Sequence, residues 1–188
     1  MVGLEGSLFW YGRGIDVNGA KLTTDLSDDE IIEYPDDYVQ SPERHPMDYL
    51  TGILKGKHLD KRHIGLEKDN YYFSARAAES LYHSLPDARF HDATALVNWQ
   101  RAIKSEQEIE YMRAAGQIVA SVYTHIMEIA EPGMRKNELA AEILYTATKG
   151  TASHYGDYAA IVPLIGAGEE ASACHMTWDD EALQNNSG

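Results

Sequence analysis

A single cysteine, Cys174, is all the thiol chemistry in this 188-residue chain. That excludes an intramolecular disulfide and fits a reducing compartment. Basic residues are scarce as well: 16 Lys and Arg stand against 30 Asp and Glu, a formal net charge of −14. Such a surface repels phosphate backbones and anionic lipid, so neither nucleic acid nor a membrane is an expected partner. No apolar run approaches the ~20 residues that a spanning helix needs. The opening MVGLEGSLFWYGRG lacks a basic segment followed by an apolar stretch and a small-residue cleavage site. It does not read as a secretory signal, and the cytoplasm is the expected location. There is no internal repeat and no low-complexity tract, and residues 184–188 form a polar tail. What is present is enough apolar material, 44% of the chain, for a core in one large domain or two small ones.

The first hundred residues alternate between short apolar runs and turn signals. Ser7 to Tyr11 reads as a buried strand ended by Gly12, Arg13 and Gly14. Asn18-Gly19 is a tight-turn signal that predicts a hairpin across 16–25. An acidic connection follows at 27–37, then a loop at 41–46, where two prolines disfavour helix in the residues before them. Helices are predicted over 47–55, stopped by Gly56, and over 73–85; strands are predicted over 63–67 and 89–92. The alternation implies an α/β layer with partly parallel pairing.

The clearest local signal lies at 101–131, a long helix. Ser105 followed by Glu108 is a capping box, in which the hydroxyl accepts from the Glu108 amide and the carboxylate reaches back. Ile109, Met112, Val119, Val122, Ile126 and Ile129 recur at the spacing of one helix face, and the first five are predicted to be its buried stripe. Pro132-Gly133 stops it. A second helix over 137–149 carries Leu139, Ile143, Leu144 and Ala147 on one side, with Gly150 after it. The change of pattern at Arg101 marks a domain border.

These are also the residues that carry a resemblance. Arg101 to Ser105, Glu108-Ile109, Met112-Arg113 and Ala115, then Glu131-Pro132-Gly133-Met134 and Asn137-Glu138-Leu139-Ala140, resemble the start of the catalytic domain of the creatinase/prolidase ("pita-bread") family. The resemblance implies an α/β (α+β) chain with a creatinase-like amino-terminal domain at 1–103 and the first part of a pita-bread catalytic domain at 104–188. It implies that the first domain lacks its opening strand and helix, and that the second lacks its later part. Two stretches, 23–50 and 171–180, resemble the branch that hydrolyses a C–N bond in a small cyclic amidine. The expected state is a homodimer acting on a small-molecule substrate, with the 188 residues alone inactive. Two alternatives stay open: a dimetal Xaa-Pro aminopeptidase or prolidase, and a non-catalytic pita-bread module that binds peptides.

His175 is the candidate catalytic residue. From the residues alone it is a histidine bonded to backbone at a strand end. The resemblance implies instead that it faces the substrate from the strand after a Gly-rich turn and moves protons at the scissile group, which suits a side chain titrating near neutrality. Trp178 and Arg13 are candidate substrate contacts, Arg13 in the manner of an amino-terminal-domain arginine that reaches a partner subunit's site; a surface salt bridge is the other reading of Arg13. Cys174 is expected to be a buried, inert thiol. Asp179-Asp180-Glu181 is expected to be a solvated turn, since it lacks the alternation and turn glycine of a calcium loop. The G-x-G at Gly166 to Gly168 is followed by two acids and no helix pattern, a weak nucleotide loop. The aromatics around His154, Tyr155 and Tyr158 are expected to pack. In the peptidase branch two divalent metals sit on two aspartates, a histidine and two glutamates, and the resemblance places all five after the segment matching 171–180. No cofactor or metal ligand is therefore assignable in this chain, and the creatinase-like branch needs none.

Overall fold

A computed structural model describes residues 1–185; the last three residues of the polar tail lie outside the described residues. The chain divides into two compact units, Met1–Ala102 and Ile103–Gly188. Among the described residues no helix is long and apolar enough to cross a membrane.

The first unit is built from two parallel strand pairs. Strand β1 (Trp10–Arg13) runs beside β2 (Ile31–Tyr34) with Trp10 opposite Ile31, and β3 (His63–Leu66) runs beside β4 (Arg89–Asp92) with His63 opposite Arg89. Parallel neighbours need a crossover connection, and here each crossover contains a helix. Between β1 and β2 it is α1 (Val17–Thr23), which replaces the expected hairpin. Ala20 buries against this strand pair, and the Thr23 and Thr24 hydroxyls donate back to the carbonyls of Gly19 and Ala20 at 2.8 and 2.7 Å. Asn18-Gly19 thus sits inside a helix because the flanking residues have no antiparallel partner to turn towards. Strand β2 itself falls within the stretch expected to be an acidic connection; Ile31, Ile32 and Tyr34 supply its apolar character. The first strand starts later than expected and is half-buried throughout, not buried.

Helices α2 (Pro46–Gly56) and α3 (Ala75–Ser84) pack together over β3 and β4. Leu50 and Leu54 from α2 meet Leu81 and Leu85, with Ile64, Leu66, Phe73 and Phe90 closing the cluster. The start of α2 is tightly specified. Pro46 stands in the first turn, where its missing N–H costs no bond. His45 Nδ1 accepts from the Met47 amide at 3.1 Å, and Asp48 Oδ2 accepts from the His45 amide at 2.7 Å. Asp48 also accepts from the Ser80 hydroxyl, which ties α2 to α3. Burial works to raise the Asp48 pKa, yet these hydrogen bonds hold it below the ordinary carboxylate value. Tyr11 donates to the Pro46 carbonyl at 2.6 Å, and burial pushes its phenol well above the usual range. A short helix not anticipated from the sequence, α4 (Leu96–Gln100), leads to the end of this unit.

The second unit is centred on α5 (Glu106–Ile129) and α6 (Lys136–Lys149), which pack on each other. The capping box forms as expected: the Glu108 amide donates to Ser105 Oγ at 3.2 Å and the Ser105 amide to Glu108 Oε2 at 2.8 Å. Gly133 takes a left-handed φ of +97° in the connection, a conformation glycine adopts without steric cost. The buried side of α5 differs from the expected stripe. Val122 is buried and Ile109, Ile126 and Ile129 are half-buried, but Met112 and Val119 are 57% and 52% exposed. The inward side takes Ala114, Ile118, Ser121 and His125 instead. On α6, Leu139 and Ala140 are buried and Leu144 is exposed. Periodicity fixes that α5 is amphipathic, but α5 bears apolar residues over more than one side, and only the position of α6 selects which of them is covered.

Candidate functional site

The candidate catalytic histidine lies in the stretch after α6. Gly150 ends that helix with a left-handed φ of +69°, and a Cβ there would meet the His154 carbonyl oxygen at 2.3 Å, so glycine is required by both backbone and space. The chain then bends tightly: the Thr151 amide donates to the His154 carbonyl at 2.8 Å and the His154 amide to Thr151 Oγ1 at 3.0 Å. Residues 155–167 form no helix or strand, and Tyr155 and Tyr158 stand exposed, contrary to the packing expected of them. A 3-10 turn, Gly168–Ser172, brings the chain to Cys174 and His175.

His175 is exposed and sits in a turn with a left-handed φ of +66°, not on a strand. A strand needs a hydrogen-bonded neighbour, and among the described residues 173–180 has none. The left-handed conformation costs a non-glycine residue about 1 kcal/mol or more and persists only where the surroundings hold it. Cys174 is exposed, not buried, because it shares this turn with His175. Trp178 is half-buried, three positions further on.

What holds this stretch is Lys136, at the first position of α6. Its side chain is only 3% exposed, and its ammonium bonds the carboxylates of both Glu170 and Asp179, the latter at 2.8 Å. Hydrogen bonds to Asp179 first and Glu170 second raise the Lys136 pKa. The Asp179 pKa is lowered by Lys136 and by the Glu181 amide, which donates to Asp179 Oδ1 at 2.9 Å. The backbone joins in: the Lys136 amide donates to the Glu181 carbonyl at 3.0 Å, Gly133 to Leu183 at 2.9 Å, and Leu183 back to Met134 at 2.8 Å. Sequence reasoning missed Lys136. A lysine in the first turn of a helix looks like a solvated residue, and the one faint signal is the pair of acidic clusters flanking His175.

Glu170, Asp179 and Glu181 bring carboxylate oxygens within 4.8 Å of one another. Two of the three already bond the Lys136 ammonium, and the set holds neither the histidine nor the count of carboxylates that a dimetal centre uses. It does not fit such a centre. The Asp179 to Glu181 stretch is therefore more than a solvated turn, since its first carboxylate is anchored. Arg13, in the other unit, pairs through Nε with Asp36 Oδ1 at 3.1 Å, and this bond raises its pKa.

Residues 3–103 match the model of the Creatinase/Prolidase N-terminal domain, and residues 110–187 match that of Metallopeptidase family M24. The chain belongs to the creatinase/prolidase family. It is 50% identical over 194 aligned positions to the ectoine hydrolase of Halomonas elongata, covering 100% of this chain and 49% of that protein. An uncharacterised hydrolase/peptidase of Sinorhizobium fredii is 40% identical over 178 positions, covering 95% of this chain and 45% of the relative. The chain thus spans about half the length of these curated relatives. Among solved structures it is similar to the prolidase from Pyrococcus furiosus, with a TM-score of 0.70 and 19% identity over 94% of this chain and 48% of that one. The likeness to the X-Pro aminopeptidase from Thermotoga maritima has a TM-score of 0.66 and 21% identity over 93% and 45% of the two chains. At these identities the solved structures speak to the fold alone: a mixed α/β amino-terminal domain followed by the beginning of the pita-bread catalytic domain.

Proposed function

We propose that the protein to which these residues belong hydrolyses a carbon–nitrogen bond in a small cyclic amidine, with ectoine as substrate and an N-acetylated diaminobutyrate as product. The observation that supports this reading is the 50% identity to an ectoine hydrolase along the whole of this chain. In the reaction, water adds its oxygen to the amidine carbon, the ring C–N bond breaks, and the departing nitrogen takes a proton. His175 is assigned the proton transfer, because an imidazole acts as acid and base near neutral pH. Trp178 and Arg13 are assigned to substrate contact, Arg13 across a homodimer in the cytoplasm. The carboxylate that activates the water is assigned to the part of the family's catalytic domain outside the span matched here.

A second reading, a dimetal Xaa-Pro peptidase, is supported by the match of 110–187 to a metallopeptidase family. The test is to assay the full-length protein on ectoine and on Xaa-Pro peptides, before and after chelation. Ring opening that survives chelation is expected; chelator-sensitive peptide cleavage without ring opening overturns the first reading. His175→Ala is expected to lower kcat on ectoine about 10²–10⁴-fold, the range for a lost general acid–base, and an unchanged kcat removes His175 from the mechanism.

A further inference from the structure

We infer that Lys136 is the positioning residue of His175: one buried ammonium clamps Glu170 and Asp179, and so closes the stretch between them into a loop that carries the histidine. The inference rests on the assignment of His175 to proton transfer. Glu170 lies five residues before His175 and Asp179 four after it, so a single side chain fixes both ends of the loop. A tether at one end would leave the turn free to swing. Two tethers on one point restrict it, which is what the left-handed backbone at His175 requires in order to persist. Lysine suits the role because its ammonium is a compact point charge with three donors that can aim in different directions, whereas the planar arginine fork favours one carboxylate. The backbone bonds from 133–136 to 181–183 continue the anchor beyond Asp179. Among the described residues the Lys136 side chain is the bond that ties Glu170 to α6, so that end of the loop depends on it.

The clamp also eases the repulsion among three converging carboxylates, since an ammonium of the chain itself bonds two of them. Burying that ammonium is costly unless carboxylates pair with it, so Lys136 and its two partners stabilise one another.

Lys136→Met keeps the aliphatic stem and removes the charge; Glu170→Gln releases one end of the loop and leaves Lys136 paired to Asp179. In the full-length protein, hydrogen exchange across 168–180 is expected to quicken at least about tenfold in Lys136→Met and by less in Glu170→Gln, with α5 amides unchanged in both. The His175 ring resonances should move towards those of an unstructured histidine. On ectoine, kcat is expected to fall about 10–100-fold with KM within about threefold, the pattern of a misplaced catalytic group and not of a lost binding contact. Lys136→Arg is expected to restore only part of the rate. Unchanged exchange across 168–180, or unmoved His175 resonances, in both Lys136→Met and Glu170→Gln overturns the clamp. A loosened loop with undiminished kcat, in a protein where His175→Ala does lower kcat, overturns the positioning role while the reading of His175 survives. If His175→Ala itself leaves kcat intact, the functional reading fails and this inference fails with it.

Discussion

Replacing Val122 by alanine and, in a separate variant, Val119 by alanine sets two sides of α5 against each other. Each change removes about two methylene equivalents, or roughly 1.6 kcal/mol when the side chain is fully buried at ~0.8 kcal/mol each. Val122 is 9% exposed, so nearly all of that, about 1.5 kcal/mol by the same coefficient, is lost. Val119 is 52% exposed and forfeits about half, roughly 0.8 kcal/mol. Alanine is the better helix former by about 0.5 kcal/mol at both positions. The net expectation is about 1 kcal/mol for Val122→Ala and about 0.3 kcal/mol for Val119→Ala. Native-state hydrogen exchange of the α5 and α6 amides reads this directly, as a fivefold-order acceleration for the first variant and less than about twofold for the second. Equal acceleration in the two would show that the outer side of α5 is packed in solution, and the assignment of its buried face would be wrong.

Leu81→Ala should destabilise the first unit by about 2–4 kcal/mol, since this 3%-exposed leucine joins α2 and α3 in a small core with little capacity to refill the space; a loss below about 1 kcal/mol in urea unfolding would contradict it. Acid should weaken the same unit through His45. Burial lowers its pKa, so the neutral ring that caps α2 is fully favoured above the ordinary value of 6.5, and that stability is lost as pH falls from 6.5 through the lowered pKa. The thermal midpoint should drop over that window, and His45→Asn, which keeps a cap acceptor without titrating, should flatten the drop; an identical pH profile in the variant would refute the role of His45. The Lys136 and Asp179 contact should hold from below the ordinary aspartate value of 3.8, where Asp179 protonates in the folded chain, up to above the ordinary lysine value of 10.5, where Lys136 loses its charge. Protection across 168–180, taken relative to the intrinsic exchange rate at each pH, that fell inside this window, near pH 6, would point to a different anchor.

Where a structural feature is written in residues that are neighbours along the chain, the sequence by itself determined it. Ser105 and Glu108 cap α5 because the bonds they make are local, Pro132-Gly133 breaks it for the same reason, and β3, β4, α2 and α3 follow from patterns a few residues long. The family resemblance was legible in those same local motifs. Tertiary structure decided what depends on a distant partner. Asn18-Gly19 went into a helix because β1 and β2 pair in parallel and need a crossover, and an acidic stretch became a strand because β1 was there to receive it. Which valine of α5 turned inward depended on α6, which side of Cys174 met solvent depended on the turn at His175, and neither leaves a trace in local spacing. Lys136 is the sharpest case: its meaning comes from two carboxylates 34 and 43 positions away, and a buried ion pair over that separation exists only once the chain has folded back to make it.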